Sequence, residues 1–234
     1  MRLDKYLAEA GKGTRSEVKK MISKGRILVN GTCVKDPGFQ IRPETDIVLL
    51  DGANVRYAAF EYFMLNKPQG VISASRDDHP GTVCVTDLIR DKIRSDLFPV
   101  GRLDQDTEGL LLITNDGPLA HRLLSPAHHV EKTYLVHLDG VLTKAEAQRI
   151  MDGTDIGDEK PTLPCEIKHL SEDRCLITIR EGRYHQIKRM FRTASLTVTY
   201  LKRLSMGPLF LDPALSPGEY RPLQPEELTA LQSL

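Results

Sequence analysis

The sequence lacks closely spaced cysteines, long apolar runs and a net charge, and each absence excludes a class of protein. The apolar runs are only a few residues long, and Arg2, Asp4 and Lys5 place charge where a signal peptide has its apolar core. The chain is therefore predicted to be cytoplasmic and to have no membrane helix. The cysteines form no close pair, which argues against a zinc motif or a disulfide framework and predicts reduced, buried thiols. They are Cys33, Cys84, Cys165 and Cys175.

The charge is unevenly distributed, although the formal net charge is zero. Residues 1–42 contain ten Lys or Arg against four Asp or Glu, so the rest of the chain is acidic overall. A second basic cluster lies in residues 180–203, where seven Lys or Arg accompany a single acid, Glu181. Because phosphate contacts supply much of the affinity for nucleic acids, these two segments indicate a nucleic-acid partner despite the overall neutrality.

A length of 234 residues, with 40% hydrophobic and 27% charged side chains, favours two globular domains. The first 50 residues change from a helical to a strand pattern. Apolar spacing predicts a helix over residues 3–10, and Thr14 with Glu17 forms a capping box for a second helix. The dipeptide Asn30-Gly31 between apolar segments predicts a β-hairpin. Residues 46–50 are predicted to be the last strand before an interdomain linker.

This order of elements resembles the S4 RNA-binding domain over about residues 1–50. The strings Arg-Leu-Asp-Lys-Tyr-Leu near the start and Val-Asn-Gly in the hairpin carry the resemblance. It implies that the second helix meets the RNA backbone and shape instead of reading bases. The residues implied there are Arg15, Lys19 and Lys20. A solvated helix face is the alternative interpretation.

The most informative segment runs from Gly101 to Leu110, because it places Asp104 on a polar turn between two apolar segments. The run over residues 110–113 is apolar enough to be a strand buried on both faces. A carboxylate held next to such a strand is preorganised as a nucleophile or proton acceptor. The spacing of Asp104, Asp106 and Glu108 is also similar to the first half of a calcium-binding loop. Asn115, however, occupies the position where such a loop has its bidentate Glu, so no metal site is predicted.

The string Gly-Arg-Leu-Asp-x-x-Thr-x-Gly-Leu resembles the catalytic motif of RNA pseudouridine synthases, in the branch that modifies bacterial small-subunit ribosomal RNA. The resemblance implies that Asp104 is the nucleophile, or the base that draws a proton from the sugar. It implies that Arg102 fills the place left by the extruded uridine. The string Asn-Lys-Pro-x-Gly resembles the first family motif, and a structural role is preferred for Lys67 and Pro68 there.

Residues 130–136 alternate as a strand and place Lys132, Tyr134 and Val136 on one face. A tyrosine in such a strand is usually half-buried core. The string Glu-Lys-Thr-Tyr, however, resembles the family motif whose tyrosine stacks against the target base. The resemblance therefore assigns Tyr134 to the catalytic site.

Residues 181–191 predict a helix with Ile187, Met190 and Phe191 on one face and basic residues on the other. The segment resembles the third family motif, whose basic residue, here Lys188, pairs with the catalytic carboxylate and favours its charged form. The other polar residues of this segment are implied in RNA binding: Arg183, His185, Arg189 and Arg192. A solvated basic helix is the alternative.

The resemblance covers nearly the whole chain and implies an α+β fold. A small αβ S4 domain with its linker, residues 1–59, precedes a catalytic domain of residues 60–234 on a mainly antiparallel sheet flanked by helices. The implied reaction converts a uridine of 16S rRNA, of the uridine-516 type, to pseudouridine. No cofactor and no metal are expected, because the isomerisation changes no redox state and adds no atom. The implied partner is ribosomal RNA in a small-subunit assembly intermediate, and the protein is expected to be a monomer.

Two alternatives stay open. A large-subunit rRNA pseudouridine synthase has the same motifs, because they encode the reaction while loop shapes select the site. A non-catalytic ribosome-binding or assembly factor would use the same basic surfaces. Binding alone does not require Asp104, Tyr134 and Lys188 together, which favours the enzyme.

Overall fold

The computed structural model describes residues 1–77 and 79–234, which form two compact units. The first unit contains Met1–Glu61 together with Arg90–Leu97, and the second contains Tyr62–Ile89 and Phe98–Leu234. The sequence suggested a single division after residue 59, whereas the packing also brings the later segment, residues 90–97, into the first unit.

Arg94 shows why this segment stays with the first unit. Its side chain is buried, and its guanidinium forms ion pairs with Glu9 at 2.7 Å and Asp96 at 2.6 Å. The same group lies over the ring of Tyr57. A buried cation with two carboxylate partners and an aromatic contact fixes the segment in place.

In the first unit, two helices pack on a four-stranded antiparallel sheet of order β2-β1-β3-β4. The elements are α1 (Leu3–Glu9), α2 (Arg15–Ser23), β1 (Ile27–Val29), β2 (Thr32–Cys33), β3 (Val48–Leu50) and β4 (Ala53–Asn54). The predicted capping box between Thr14 and Glu17 is confirmed. The predicted hairpin is also confirmed, since Asn30 and Gly31 both have positive φ and join β1 to β2.

The linker predicted to follow residue 50 is wrong at its start. Asp51 and Gly52 have φ values of 50° and 82° and form a tight turn that leads directly into β4. Two consecutive residues with positive φ suit a two-residue hairpin turn, so the chain extends the sheet by one more strand before it leaves.

The second unit is built on a nine-stranded sheet with helices α3 to α6. Its strands are β5 (Tyr62–Lys67), β6 (Phe98–Pro99), β7 (Glu108–Thr114), β8 (Lys132–Leu138), β9 (Glu166–His169), β10 (Arg174–Ile179), β11 (Val198–Met206), β12 (Leu209–Phe210) and β13 (Tyr220–Pro222). Its helices are α3 (Gly117–Leu124), α4 (Lys144–Met151), α5 (Gln186–Arg192) and α6 (Pro225–Gln232), with 3-10 turns at Val85–Asp87 and Pro126–His128.

The main path of this sheet is β13-β5-β7-β11-β8-β10-β9, with β6 paired to β7 and β12 to β11. The strands pair antiparallel except β7 and β11, which run parallel. The mainly antiparallel α+β fold expected from the sequence is therefore confirmed. Residues 110–113 of β7 are completely buried, as their apolar run predicted.

The sequence pattern over residues 62–73 predicts a strand, a turn and a second strand, and the second strand, over residues 71–73, is wrong. Only an isolated bridge between Ile72 and Cys84 forms there. The Ile72 amide donates a hydrogen bond to the Val83 carbonyl, and the Ile72 carbonyl accepts one from the Val85 amide. The Ser73 hydroxyl donates a hydrogen bond to the Leu103 carbonyl, in the loop before β7. The segment therefore serves as a brace for that loop and not as a member of the sheet.

Gly109 is required by the parallel contact between β7 and β11. A Cβ at this position would lie 2.2 Å from the carbonyl oxygen of Arg203, and its φ is +103°. No side chain fits there, which explains a glycine in the middle of a buried strand. Across residues 1–77 and 79–234, every helix falls short of the length and apolar character needed to span a bilayer.

Candidate active site

The loop before β7, residues 101–107, is held by a fully buried lysine. Lys67, the last residue of β5, points its Nζ atom at four backbone carbonyls. The distances are 3.0 Å to Pro68, 3.1 Å to Asp104, 3.3 Å to Gln105 and 3.0 Å to Thr107. Burial lowers the pKa of Lys67 to about 8, against nearby carboxylates that raise it, so the side chain is a cation at neutral pH. The charged group fixes the backbone on either side of Asp104.

Two further contacts hold the same loop. Ser73 accepts a hydrogen bond from the Leu103 amide at 3.0 Å and donates one to the Leu103 carbonyl at 2.8 Å. The Gly70 amide donates a hydrogen bond to the Gln105 carbonyl at 2.8 Å, and the Gln105 side-chain amide donates one to the Gly70 carbonyl at 3.1 Å. The loop is therefore fixed at three points by the segment between residues 67 and 73, which gives the string Asn-Lys-Pro-x-Gly the structural role expected for it.

Asp104 meets the N-terminal part of α5. Its Oδ2 atom lies 3.1 Å from Nζ of Lys188, and its Oδ1 atom lies 3.6 Å from Nε2 of His185. The Asp104 side chain is 28% exposed and that of Lys188 is 20% exposed, so the pair is partly shielded from water but open to a ligand. The structure brings together the carboxylate and the lysine that the sequence put 84 positions apart.

Lys188 is shared with a second carboxylate, which sequence reasoning did not assign. Its Nζ atom lies 2.5 Å from Oδ1 of Asp106. The hydrogen bond from Lys188 lowers the pKa of Asp106. Burial alone lowers the pKa of Lys188, but its bonds to Asp106 and Asp104 outweigh burial, and the net shift is upward. Lys188 is therefore a permanent cation between two carboxylates.

Tyr134 forms a wall of the cleft that contains Asp104, which we call the Asp104 cleft. It lies on β8 between Ile177 of β10 and Arg203 of β11, and only 7% of it is exposed. The alternation predicted for β8 is confirmed by its strictly alternating burial. The cleft is lined by both charged and apolar side chains. Its main lining residues are Arg102, Leu103, Asp104, Thr107, Tyr134, Ile179, Arg183, His185, Lys188 and Leu201.

Thr107 contributes a polar group that the sequence motif contained without an assigned role. Its Oγ1 atom is buried, lines the cleft and has no hydrogen-bond partner within the described residues. A buried hydroxyl without a partner costs about 1–3 kcal/mol. A ligand that reaches this buried hydroxyl would recover this energy.

Two of the basic residues expected to contact RNA have internal partners. Arg183 bonds to the carbonyls of Lys160 and Pro161 and to the Glu181 carboxylate. Arg189 likewise clamps the loop around Ile156 and Asp158. Both guanidiniums bind the segment over residues 156–161, so the structure gives them a scaffolding function that the expectation of a free basic face did not include.

The remaining predicted residues are exposed. Arg102 lines the cleft two residues before Asp104, and Arg192 lies in the last turn of α5. In the first unit, the basic side of α2 is exposed while Val18 and Ile22 are buried, as its amphipathic pattern predicted. The exposed residues there are Arg15, Lys19 and Lys20.

The chemistry that this site offers is acid–base and nucleophilic. Within the described residues, no group of three or more His, Cys, Asp or Glu is placed to hold a metal ion. The site instead joins one carboxylate, one fixed cation and one aromatic ring around a partly apolar cleft. Such a site can bind a planar polar ring and present a carboxylate to an electrophilic carbon.

Comparison with known proteins shows the family of this chain. Residues 61–193 match the family model described as RNA pseudouridylate synthase, and residues 1–47 match the S4 domain. An uncharacterized RNA pseudouridine synthase of Bacillus subtilis, YtzG, is 47% identical over 99% of this chain and 98% of its own length. Ribosomal small subunit pseudouridine synthase A of Escherichia coli K12 is 39% identical over 99% of this chain and 100% of its own.

A solved structure shows the same fold. The crystal structure of a pseudouridylate synthase superposes with a TM-score of 0.70 at 37% identity, covering 99% of both chains. Since both the sequence match and the superposition extend over the full chain, the protein belongs to the RNA pseudouridylate synthase family and carries an S4 domain at its N-terminus.

Proposed function

We propose that this protein isomerises a uridine of 16S ribosomal RNA to pseudouridine, with Asp104 as the catalytic carboxylate. The observation that carries the proposal is the contact of 3.1 Å between Asp104 and Lys188 in a cleft walled by Tyr134. The relatives named as ribosomal small subunit pseudouridine synthase A support the choice of RNA.

The reaction needs a uridine outside the RNA stack. Neither C1′ nor C5 of a stacked uridine can reach a carboxylate, so the nucleotide must be extruded at a cost of about a few kcal/mol. Tyr134 holds the extruded uracil by stacking, and the Thr107 hydroxyl hydrogen bonds to its polar edge or to the ribose. Arg102, exposed at the cleft, fills the space left in the RNA.

The chemical step breaks the bond between C1′ and N1 and forms the bond between C1′ and C5. Asp104 either attacks C1′ or removes a proton from the sugar, and the uracil ring rotates before C5 is joined. The C5 proton is then lost and N1 regains a proton, so the product has the composition of the substrate. The Lys188 ammonium, 3.1 Å away, orients the Asp104 carboxylate toward the bound nucleotide.

RNA affinity is assigned to the exposed cations of both units. Arg15, Lys19 and Lys20 on α2 contact the phosphate backbone, as an S4 domain surface does. Arg192 and His185 extend the contact next to the cleft. Arg183 and Arg189 contribute to RNA binding indirectly, by holding the loop over residues 156–161, because their guanidinium groups already donate hydrogen bonds to its carbonyls.

The experiment is to incubate the purified protein with 16S and 23S rRNA, naked and partly assembled, and to map pseudouridine by carbodiimide-stopped primer extension. One modified uridine in 16S rRNA is expected. Modification of 23S rRNA instead would make the protein a large-subunit enzyme, and binding without modification would make it an assembly factor.

The Asp104→Asn variant tests the assignment of the carboxylate. It is expected to lose all product while RNA affinity stays within about twofold, because Asn keeps the size of the side chain but is no nucleophile or base. Asp173→Asn, in the turn before β10 and outside the cleft, is the matched control and keeps full activity. Turnover by Asp104→Asn would refute the assignment.

A further inference from the structure

An exposed aromatic pair stands beside the Asp104 cleft. The Tyr184 ring is stacked on the His185 imidazole, with ring centres 3.9 Å apart and an angle of 18° between the planes. Tyr184 is 75% exposed, which leaves its outer face open. An exposed aromatic ring at the edge of a cleft offers a flat face on which a nucleobase can stack.

The pair is connected to the reacting groups through His185. The imidazole lies 3.6 Å from Asp104 and lines the Asp104 cleft. It also lines a second, open cavity, which we call the polar side cavity. Asp104, His185 and Lys188 line both cavities, so the two are neighbours.

The lining of the polar side cavity suits the edge of a nucleobase. The residues that line this cavity but not the Asp104 cleft are Gln69, Gly70, Gln105 and Asp106. Amide side chains pair with base edges through one donor and one acceptor, and Gln69 supplies both, whereas the Gln105 amide already donates to the Gly70 carbonyl. A Cβ at Gly70 would meet no atom within 4 Å, so this backbone is open to a close approach. The cavity therefore offers hydrogen bonds, while Tyr184 offers a stacking face.

We propose that Tyr184, stacked on His185, and the polar side cavity form a second nucleobase subsite, which takes an unpaired base next to the extruded uridine. This inference rests on the proposed function, because it assumes that the Asp104 cleft takes the uridine itself. Single-stranded RNA is recognised by splayed bases that stack on aromatic rings and bond through their edges. The neighbouring base is the part of the substrate that a second cavity beside Asp104 can reach.

The absence of tryptophan from the chain allows a direct test. The Tyr184→Trp variant carries one indole, whose fluorescence is quenched when a base stacks on it. The probe is a short oligouridylate, and an abasic ribose-phosphate chain of equal length has the same charge without bases. Phe210→Trp is the matched control, because Phe210 is 70% exposed in the same unit and lines neither cavity.

We expect oligouridylate to quench the indole of Tyr184→Trp, and the abasic chain to leave it unchanged. The indole of Phe210→Trp should respond to neither. Tyr184→Ala should weaken oligouridylate binding by about 5- to 150-fold, the range of one base–aromatic stack, while Tyr184→Phe should change it by less than about twofold. The inference is overturned if RNA binds without quenching, or if the abasic chain quenches equally.

Failure of this inference can be told apart from failure of the proposed function. If rRNA is modified and Tyr184→Ala keeps the wild-type KM and kcat, the subsite is refuted while the enzyme stands. If no pseudouridine forms in any rRNA, the proposed function fails, and with it the assignment of a base next to a target uridine, whatever the fluorescence shows.

Discussion

Lys67→Met is the substitution that tests most directly how the loop of Asp104 is held. The change keeps the length and the apolar stem of the side chain but removes the ammonium group that faces four carbonyls. We expect a less stable protein, and a loss of activity at temperatures where the protein is still folded, because Asp104 is no longer fixed.

The magnitude follows from which carbonyls keep a partner. The carbonyl of Asp104 also accepts from the Thr107 amide at 3.0 Å, and that of Gln105 accepts from the Gly70 amide at 2.8 Å. The loss therefore falls on the carbonyls of Pro68 and Thr107. A buried polar group without a partner costs about 1–3 kcal/mol, so the free energy of unfolding should fall by about 2–6 kcal/mol. For a domain of this size the melting temperature should fall by roughly 4–24 °C.

Lys132→Met is the matched control. Lys132 is also buried in the second unit, and burial lowers its pKa to about 8, as it does for Lys67. Its Nζ atom, however, donates to the carbonyl of Val130 alone, at 2.7 Å, and lies near the positive charge of Arg203. Melting should be followed by circular dichroism at pH 7, and pseudouridine formation well below the midpoint. Equal destabilisation by both substitutions would refute the idea that the four carbonyls around Lys67 account for its contribution to stability.

Three further predictions address other parts of the molecule. Gly109→Ala should unfold or strongly destabilise the protein, because its Cβ would collide with the Arg203 carbonyl, whereas Gly117→Ala, with open space around it, should melt within a few degrees of the wild type. Asp106→Asn should lower the melting temperature at pH 7. This difference should shrink once the pH falls below about 4 and be gone below the lowered pKa of Asp106, because protonation of the folded carboxylate removes its stabilising contribution. Cys33 should react with Ellman's reagent in the native protein, because it is exposed, while the other thiols stay protected. Burial raises the pKa of Cys165 to about 12 and that of Cys175 to about 11, which keeps both as unreactive thiols. Rapid reaction of all four cysteines would contradict the structure.

Local patterns predicted those elements whose signals lie within a few residues. The capping box at Thr14, the Asn30-Gly31 turn and the buried run of β7 depend on neighbours in sequence, and all three are confirmed. The amphipathic pattern of α5 also holds, with Ile187 and Phe191 buried. In each case the chain's own periodicity sets which side chains are inside.

The errors come from contacts between distant segments. Residues 71–73 look like a strand, but the Ser73 hydroxyl is used by a loop 30 residues later. Arg189 looks like part of a free basic face, yet its partners at residues 156 and 158 lie in a loop without any periodic signal. Cys33 was expected to be buried and is exposed on the short edge strand β2, because burial there depends on the sheet order.

The pairing of Asp104 with Lys188 was reached through resemblance to a family and not through spacing. Nothing in the residues themselves says that positions so far apart meet, since the contact needs α5 to pack beside the loop before β7. The additional role of Asp106, which shares Lys188, and the exposure of Tyr184 became visible only in three dimensions.

The central position of β11 has a consequence for when this protein can become active. The strand joins β7 to β8 in the middle of the sheet, although it follows β7, β8, β9 and β10 in the chain. Until residues 198–206 have been synthesised, the half that carries Asp104 and the half that carries Tyr134 have no shared strand. A chain that stops before residue 198 therefore cannot bring Asp104 and Tyr134 together in one sheet, whatever local structure its earlier segments form.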